Sequence, residues 1–452
     1  MRFSTLLLAA ACAAPLATAQ NGQTYVANQG GFGANTSSLT SLSLLGQESD
    51  QLFEGQFGSS IQSIERIGDR LYVMSDEAGR IDVIDTDTNQ RVAQITSPDV
   101  TTVRYMAEVS PGKAYVTQLY LPDGSFSGGS VAVVDLATNQ FNQVINDESF
   151  SNPEGIAVVG QKAFVANSGF GSATTLTVLD TEADAVTGTV ELGCSARAVL
   201  SDEADGEVYA FCQDEVVVVT AATGTVAARI AAPDEVRPLG TGGLGEDAAQ
   251  RSPSFVEDSF LVMAAVGTGG VLTLDPSTNE VSVVPIAGER SISSIGVGTY
   301  YGGDFVLDIL VLGRPDVENP FSAAGIVTTH ALFDGSLQSS VAAGVYPTSV
   351  ATSNVIKTSG EPSAEADAFA LTSVYPNPAA GRATAAFTLA QAQTVRVRVF
   401  DVLGREVLAD ERAFAAGAQQ VDLDAAALRP GLYVVRLEAG TQTATARFTV
   451  AR

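Results

Sequence analysis

The sequence has few of the residues that enzymes most often use for chemistry. In 452 residues it contains one histidine, three cysteines and no tryptophan. A serine or cysteine nucleophile needs a neighbouring base, and the only histidine, His330, lies in a predicted strand, where a partly buried structural side chain is the simpler interpretation. No His-Glu-x-x-His or Cys-x-x-Cys spacing occurs, so no zinc site is expected. The sequence therefore predicts a protein that is not an enzyme and carries no cofactor.

Basic residues are also scarce. The chain has 24 Lys and Arg, of which three are Lys, against 51 Asp and Glu, giving a net charge of -27. Such a surface repels phosphate backbones and anionic lipids, which argues against nucleic-acid and membrane-surface binding. Apolar residues make up 45%, charged residues 17%, and there are 43 glycines. This balance, without strong helical runs, is typical of a folded, turn-rich β protein.

The N-terminus has the three parts of a secretory signal peptide. Arg2 precedes an apolar run at 6–14, which is followed by Ala17-Thr18-Ala19. We expect cleavage after Ala19, so that residues 1–19 form the signal peptide. A lipoprotein signal ending at Cys12 is the alternative, but the residues before Cys12 fit it poorly. No other stretch approaches the ~20 uninterrupted apolar residues of a membrane helix, so no transmembrane segment is expected.

Two cysteines remain after export, Cys194 and Cys212. An oxidising compartment permits a disulfide between them. A large β core does not need such a cross-link, however, and two buried thiols fit the sequence equally well.

A β-rich unit of roughly 45 residues recurs along the chain, and this period is typical of propeller blades. One copy has a strand at 162–167, a Gly-rich loop, a strand at 176–180, a short turn and a strand at 186–192. The first of these strands has seven copies, at residues 24–28, 71–74, 114–118, 163–167, 208–211, 260–263 and 308–311. An inner strand before each one, such as 155–159, completes four strands per blade. The repeat thus predicts a seven-bladed β-propeller over residues 20–355.

The order of strands also predicts how the ring closes. The first repeat begins at its second strand, whereas residues 347–351 remain as an unassigned inner strand after blade seven. That strand is expected to complete blade one and to remove exposed sheet edges. Blade six is the least regular, because residues 233–252 form a long loop and the inner strand is predicted to begin at 253–256.

These repeats resemble YncE-like β-propellers with Tyr-Val-Thr-Asn strands, and among them the surface propellers of the DUF5074 class. The residues that carry the likeness are 104–107, 113–117 and 152–158. Some relatives capture cobalamin at the cell surface and pass it to an outer-membrane importer. The resemblance therefore implies a non-enzymatic binding module with a cobalamin-like ligand and an importer as candidate partners. Those relatives are anchored as lipoproteins at the N-terminus, and this chain departs from that pattern.

A different β pattern follows a polar stretch, and we predict a linker at 356–371 and a small Ig-like β-sandwich at 372–452. Strands at 395–400 and 432–437 alternate apolar and polar residues. The motifs at 375–379, 400–407 and 428–433 resemble the type A sorting domain of type IX secretion. This resemblance implies contact with the secretion machinery, export across the outer membrane of a Gram-negative bacterium, and attachment to the cell surface or release. A permanent Ig-like binding module is the alternative.

One face of a propeller collects both the outer-to-inner connections and the loops after the Tyr-Val strands. This face would gather a channel-mouth group, Gln62, Arg104, Tyr105, Glu154, Arg197 and Arg237, and a surrounding group, Asn28, Phe32, Tyr120, Phe126, Asn167, Phe170 and Phe321. Three arginines at equivalent positions favour a polar ligand with carboxamide, carboxylate or phosphate groups beside aromatic side chains. The equal alternative is that each arginine pairs with a neighbouring Asp or Glu.

Two other motifs resemble ligand-binding loops. Asp85-x-Asp87-x-Asn89 imitates the start of a calcium loop, but Thr96 stands where the bidentate Glu belongs, so a hairpin turn is expected. The glycine-rich segments 30–33 and 168–171 precede no helix and are expected to be loops.

Two competing functions stay open. One is a lactonase-like hydrolase with a metal in the channel, and the other is an adhesion scaffold without a small ligand.

Overall fold

The computed structural model describes residues 23–31, 34–43, 49–58, 60–123, 125, 128–203, 205–212, 214–231, 237–238, 254–256, 260–266, 270–275, 279–286, 292–302, 305–332, 335–352, 369–376, 379, 381–389, 391–401, 406–429, 431–440 and 442–450. The predicted signal peptide lies outside these residues. Within them the regular secondary structure is β-strand except for two short 3-10 helices, Gly169–Gly171 and Ala425–Ala427. The all-β prediction is therefore confirmed.

The strands up to residue 352 form seven successive sheets, which are the predicted blades. Blades 1 to 3 contain β1 (Gln23–Asn28), β2 (Ser38–Ser43), β3 (Ser49–Leu52), β4 (Ile61–Ile67), β5 (Arg70–Ser75), β6 (Arg80–Asp85), β7 (Gln90–Thr96), β8 (Met106–Ser110), β9 (Lys113–Gln118), β10 (Ser130–Asp135) and β11 (Gln140–Asn146). Blades 4 and 5 contain β12 (Pro153–Val159), β13 (Lys162–Asn167), β14 (Thr175–Asp180), β15 (Ala185–Glu191), β16 (Ala198–Asp202), β17 (Glu207–Phe211), β18 (Glu215–Thr220) and β19 (Thr225–Ala231).

Blades 6 and 7 contain β20 (Arg237–Pro238), β21 (Ser254–Val256), β22 (Phe260–Val266), β23 (Gly270–Asp275), β24 (Glu280–Pro285), β25 (Ser294–Gly302), β26 (Phe305–Arg314), β27 (Ala324–Ala331) and β28 (Leu337–Val345), followed by β29 (Pro347–Ala351). In blade 6 both β20 and β21 pair with β22. The inner edge of this blade is thus made of two separate pieces, and the prediction of an inner strand starting at 253–256 covers only the second piece.

Apolar packing between neighbouring sheets closes the ring. Each pair of successive blades encloses a cluster of buried apolar residues, and the series continues from blade 7 back to blade 1. In the last cluster Val350 and Val26 of blade 1 pack with Val311 and Val327 of blade 7. Burial of these two-sided sheets is the main source of stability.

The predicted closing strand is confirmed. β29 pairs antiparallel with β1, with Val350 opposite Val26. Every residue of β29 is buried, and Ser349 Oγ accepts a hydrogen bond of 3.2 Å from the backbone N–H of Ile64 in blade 2. The last strand of the propeller therefore holds its first and second blades together.

Polar contacts join the blades on the side opposite the proposed site. The Tyr25 hydroxyl donates to Asn89 Oδ1 in the next blade at 2.7 Å, and Lys113 Nζ lies 2.8 Å from Asp184 Oδ1 in the next blade. Asp85 Oδ1 accepts the backbone N–H of Thr88 at 2.8 Å, and Asn89 has φ of 54°. This segment is thus the predicted hairpin turn.

The single histidine has the structural position predicted for it. His330 lies on β27 and is 1% exposed. Its Nδ1 is 2.8 Å from the carbonyl oxygen of Gly335.

The C-terminal residues form two packed sheets around their own core. The strands are β30 (Phe369–Tyr375), β31 (Ala383–Leu389), β32 (Gln393–Asp401), β33 (Glu406–Phe414), β34 (Gly417–Leu423), β35 (Gly431–Ala439) and β36 (Gln442–Val450), in sheets of order β30-β31-β34 and β33-β32-β35-β36. Phe387, Val397, Val435 and Phe448 are among the buried core residues. The sandwich begins at Phe369, three residues inside the predicted linker, and most of that linker lies outside the described residues.

Candidate ligand-binding site on the loop face

Hydrogen bonds place the connections between blades and the loops after the second strands on one face, as predicted. The backbone N–H of Asn152, in the connection into blade 4, donates to Gly128 O in the loop after β9 at 2.7 Å. Ser195 Oγ, in the connection into blade 5, donates to Ser168 O in the loop after β13 at 3.0 Å. We call this side of the propeller the loop face.

Three predicted mouth residues stand side by side on adjacent blades. Their backbone carbonyl oxygens each accept a hydrogen bond from the preceding blade: Arg104 from Ser63 Oγ at 2.5 Å, Glu154 from Thr117 Oγ1 at 2.7 Å, and Arg197 from the N–H of Gly155 at 2.8 Å. They therefore form a continuous rim on blades 3 to 5.

Glycine is required at one point of this rim. A Cβ added at Gly155 would lie 2.7 Å from Arg197 O and 3.0 Å from Ala198 Cα. Both atoms are backbone and have little room to move. The close approach of blade 5 to blade 4 beside Glu154 thus depends on the missing side chain.

Arg104 is held by two carboxylates. Its Nε and Nη2 each donate to Glu154 at 2.9 Å, and its Nη1 donates to Asp76 Oδ2 at 2.7 Å. Burial alone would lower the pKa of Arg104, but the charges of Glu154 and Asp76 outweigh burial and raise it. The alternative of carboxylate pairing therefore describes Arg104. Asp76 is not among the site residues that the sequence predicted, although it lies directly after β5, a position equivalent to that of the other loop-face residues.

Arg197 differs from Arg104. Its side chain forms no ion pair with any described residue. Its Nε is buried and has no hydrogen-bond partner in the part of the chain that the structure describes. A buried guanidinium N–H without an acceptor is costly, since protein polar groups normally find partners when they leave water. Arg197 is thus the rim residue that is available to an anionic or carbonyl group.

Two of the predicted aromatic residues lie together beside this rim. The rings of Tyr120 and Phe170 have centroids 6.1 Å apart and planes 34° apart. Phe170 is 53% exposed. The backbone N–H of Tyr120 donates to Thr102 Oγ1 at 3.2 Å, so Tyr120 lies beside the connection that carries Arg104. Burial raises the pKa of Tyr120, and the charge of Arg104 opposes the rise. We call Arg104, Tyr120, Glu154, Phe170 and Arg197 the blade 3–5 patch.

The other predicted site residues have different surroundings. Gln62 Nε2 donates to the Tyr105 hydroxyl at 3.1 Å, beside the patch. Phe321 stacks on Tyr346 at 4.6 Å in the region of blade 7. Phe32, Phe126 and the side chain of Arg237 lie outside the described residues, although the backbone of Arg237 is on the inner edge of blade 6.

Asn28 and Asn167 are wholly buried, so the prediction that they contribute to a surface is wrong. Asn28 Nδ2 donates to the hydroxyls of Ser38 and Thr40, and Asn167 Nδ2 donates to those of Thr175 and Thr177. Each therefore links the second and third strands of its own blade. Their position at the end of a strand, directly before a loop, suggested exposure that the neighbouring connections in fact remove.

Two further properties of the described residues bear on function. No group of three or more His, Cys, Asp or Glu within them is placed to hold a metal ion. No helix in that part of the chain has the length and apolar content to span a membrane.

Fold and sequence together define an exported propeller with a C-terminal sorting domain. Residues 373–451 match the family model described as secretion system C-terminal sorting domain. Residues 22–243 match the model described as Domain of unknown function (DUF5074), so the propeller carries a DUF5074 domain, as its repeats indicated. The sorting domain shows export by type IX secretion to the cell surface or the extracellular space.

None of the curated proteins matches this sequence. Among solved structures, the hydrazine synthase of Kuenenia stuttgartiensis is similar at 14% identity and a TM-score of 0.43, over 56% of this chain and 76% of that one. A likeness at this level carries no argument about function.

Proposed function

We propose that the propeller is a non-enzymatic ligand-binding module outside the cell, and that its ligand binds the blade 3–5 patch. The observation that carries this proposal is Arg197, a partly buried guanidinium without a partner among the described residues, close to the exposed ring of Phe170. Ser195, two residues before Arg197, bonds to Ser168, two residues before Phe170, so the cation and the ring lie on neighbouring segments.

The carboxylates of the patch support binding rather than metal-dependent hydrolysis. Asp76 and Glu154 are engaged by Arg104, so their charge is compensated within the protein. The ligand would therefore meet one open cation and aromatic surface, which suits a group with carboxylate, phosphate or carboxamide oxygens attached to a flat or apolar body. Cobalamin has such groups, and the resemblance of the repeats makes it the first compound to test, with handover to an outer-membrane importer as the corresponding role.

Absorbance spectra and calorimetric titration of the full chain with cyanocobalamin and other tetrapyrroles test this proposal. Arg197→Ala should weaken binding roughly ten- to a hundredfold, since a charge-assisted bond contributes about 1.5 to 3 kcal/mol. Its melting temperature should stay near that of the wild type, because no protein partner is lost. Arg382→Ala, on the exposed surface of the sorting domain, is the matched control.

Arg104→Ala should instead lower the melting temperature and leave the affinity for the ligand largely unchanged. It removes the cation that bridges the half-buried Asp76 and the buried Glu154, and breaking such a buried pair costs about 3 to 5 kcal/mol of stability. Unchanged affinity in the Arg197→Ala variant would reject the site. Binding by none of the tetrapyrroles, with retained thermal stability, would instead reject this ligand class and favour the adhesion scaffold.

A further inference from the structure

A repeated anchor holds the connections that carry the rim residues. In blade 3, Gln118 Oε1 accepts the backbone N–H of Thr101 at 3.1 Å. In blade 4, Asn167 Oδ1 accepts the backbone N–H of Ser151 at 3.0 Å. Gln118 and Asn167 are equivalent, since each stands three residues after the aromatic residue of its second strand. Their partners are equivalent too, because Thr101 and Ser151 each precede the rim residue, Arg104 or Glu154, by three positions.

Blade 5 has cysteines at both of these positions. Cys212 stands three residues after Tyr209, and Cys194 stands three residues before Arg197. The two form a disulfide, with their Cα atoms 5.9 Å apart. The covalent bond thus occupies the place where, in blades 3 and 4, a backbone N–H of the connection donates a hydrogen bond to a side-chain carbonyl oxygen.

The position of Arg197 depends more on such an anchor than the positions of the other rim residues do. Arg104 and Glu154 fix each other through two hydrogen bonds, whereas the Arg197 side chain has no ion-pair partner among the described residues. Its position therefore depends on the backbone of residues 192–197. That segment contains Gly193 with φ of 75°, a conformation that only glycine adopts easily. Side-chain contacts from Ser195 to Ser168 and from Arg229 to Leu192 hold only parts of it.

We propose that the Cys194–Cys212 disulfide is a positioning element that keeps Arg197 in place for the ligand. This inference rests on the proposed function for its effect on affinity, but its effect on the connection itself is independent of any ligand. The bond is expected to persist after export, since extracellular conditions are oxidising. Without it, the segment keeps the hydrogen bonds at Leu192, Ser195 and Arg197 but loses the covalent anchor between them, so it is less ordered in the free protein and ligand binding is weakened by the cost of ordering it.

Two paired variants of the full chain test the proposal. Cys194→Ala with Cys212→Ala removes the anchor. Cys194→Ser with Cys212→Asn replaces it by the chemistry of blade 4, where Ser151 and Asn167 occupy the same two positions. Hydrogen exchange of the amides at 194–198, thermal melting and titration with cyanocobalamin are measured for both variants, and for wild type with and without a disulfide reductant.

The alanine pair should exchange at least about tenfold faster at residues 194–198, and its affinity for cyanocobalamin should fall about tenfold, or 1.4 kcal/mol. The serine–asparagine pair should recover most of both. If the alanine pair fails to fold, the reduced wild type and the serine–asparagine pair supply the same comparison. Unchanged exchange and affinity after loss of the bond would overturn the proposal, as would faster exchange spread evenly over all seven blades. If wild type does not bind cyanocobalamin, the proposed ligand fails, and exchange at 194–198 still decides the anchor.

Discussion

At the scale of single residues, the two rim arginines show how one residue type takes opposite roles. Arg104 meets carboxylates from two other blades and becomes part of the framework. Arg197 bonds to the backbone of blade 4 through its carbonyl oxygen, but its buried Nε has no acceptor among the described residues. The difference arises because neighbouring blades place carboxylates beside Arg104. The sequence of a single blade does not contain that information.

Phe170 offers a test of the aromatic part of the patch. It is an exposed phenylalanine with φ of 54°, a backbone conformation that costs a non-glycine residue about 1 to 2 kcal/mol. Phe170→Gly should relieve this cost and melt no lower than wild type, while binding of cyanocobalamin weakens because the ring is lost. Thermal melts and titrations separate these effects. A lower melting temperature with unchanged affinity would mean that the ring only packs against Tyr120.

Glu65 offers a test of the interface between blades 2 and 3, because it lies opposite Tyr72, which packs in the apolar cluster between these blades. It lies on the inner strand β4, where burial and, second, the charge of Glu108 on β8 raise its pKa from 4.5 to about 8. The folded state thus binds the proton more tightly than the unfolded state. The stability that this provides is complete below pH 4.5 and is lost as the pH rises through 8.

The Glu65→Gln variant should consequently melt above wild type at pH 9, and the difference should vanish near pH 4.5. Melting curves across this range measure the gap. The exposed Glu148 serves as a control, since Glu148→Gln should leave the curve parallel to that of wild type. A difference in melting temperature that does not change with pH would show that Glu65 does not titrate as described.

At the scale of elements, the ring depends on a strand that is last in the propeller and belongs to its first blade. β29 is buried along its whole length and contacts blades 1, 2 and 7. A chain truncated after residue 345 should therefore melt markedly lower than one truncated after residue 358. Calorimetry on the two purified chains makes the comparison, and the sorting domain is absent from both. Equal melting temperatures would contradict closure by β29.

The strands could be predicted from sequence because each carries its own signal. Residues 163–167 are all buried, as are the matching residues of β1, β5 and β9, and Asp and Asn mark the turns, so seven repeats reinforce one assignment. The site could be predicted only in outline. Arg104 pairs with residues 28 and 50 positions away, and the disulfide depends on the spacing of a strand end and a connection, which only the packed blades determine.

At the scale of the whole molecule, the chain combines two β units with separate cores. The propeller clusters contain no residue after 351, and the C-terminal cluster contains none before 374. Independent cores permit one unit to be removed without unfolding the other. The binding module and the export signal are thus distinct parts of the molecule.

Deletion of residues 369–452 should separate export from folding. The deletion begins at the first residue of β30, so it removes the entire sandwich and leaves β29 and the closed ring intact. The shortened protein is expected to accumulate in the periplasm, because the sorting domain is the part that the secretion machinery recognises, and its melting temperature should equal that of the propeller transition in the full chain. Cell fractionation and calorimetry measure the two quantities. A protein that still reaches the surface or the medium would contradict the role of the tail, whereas a periplasmic protein with a lower melting temperature would show that the tail also stabilises the propeller.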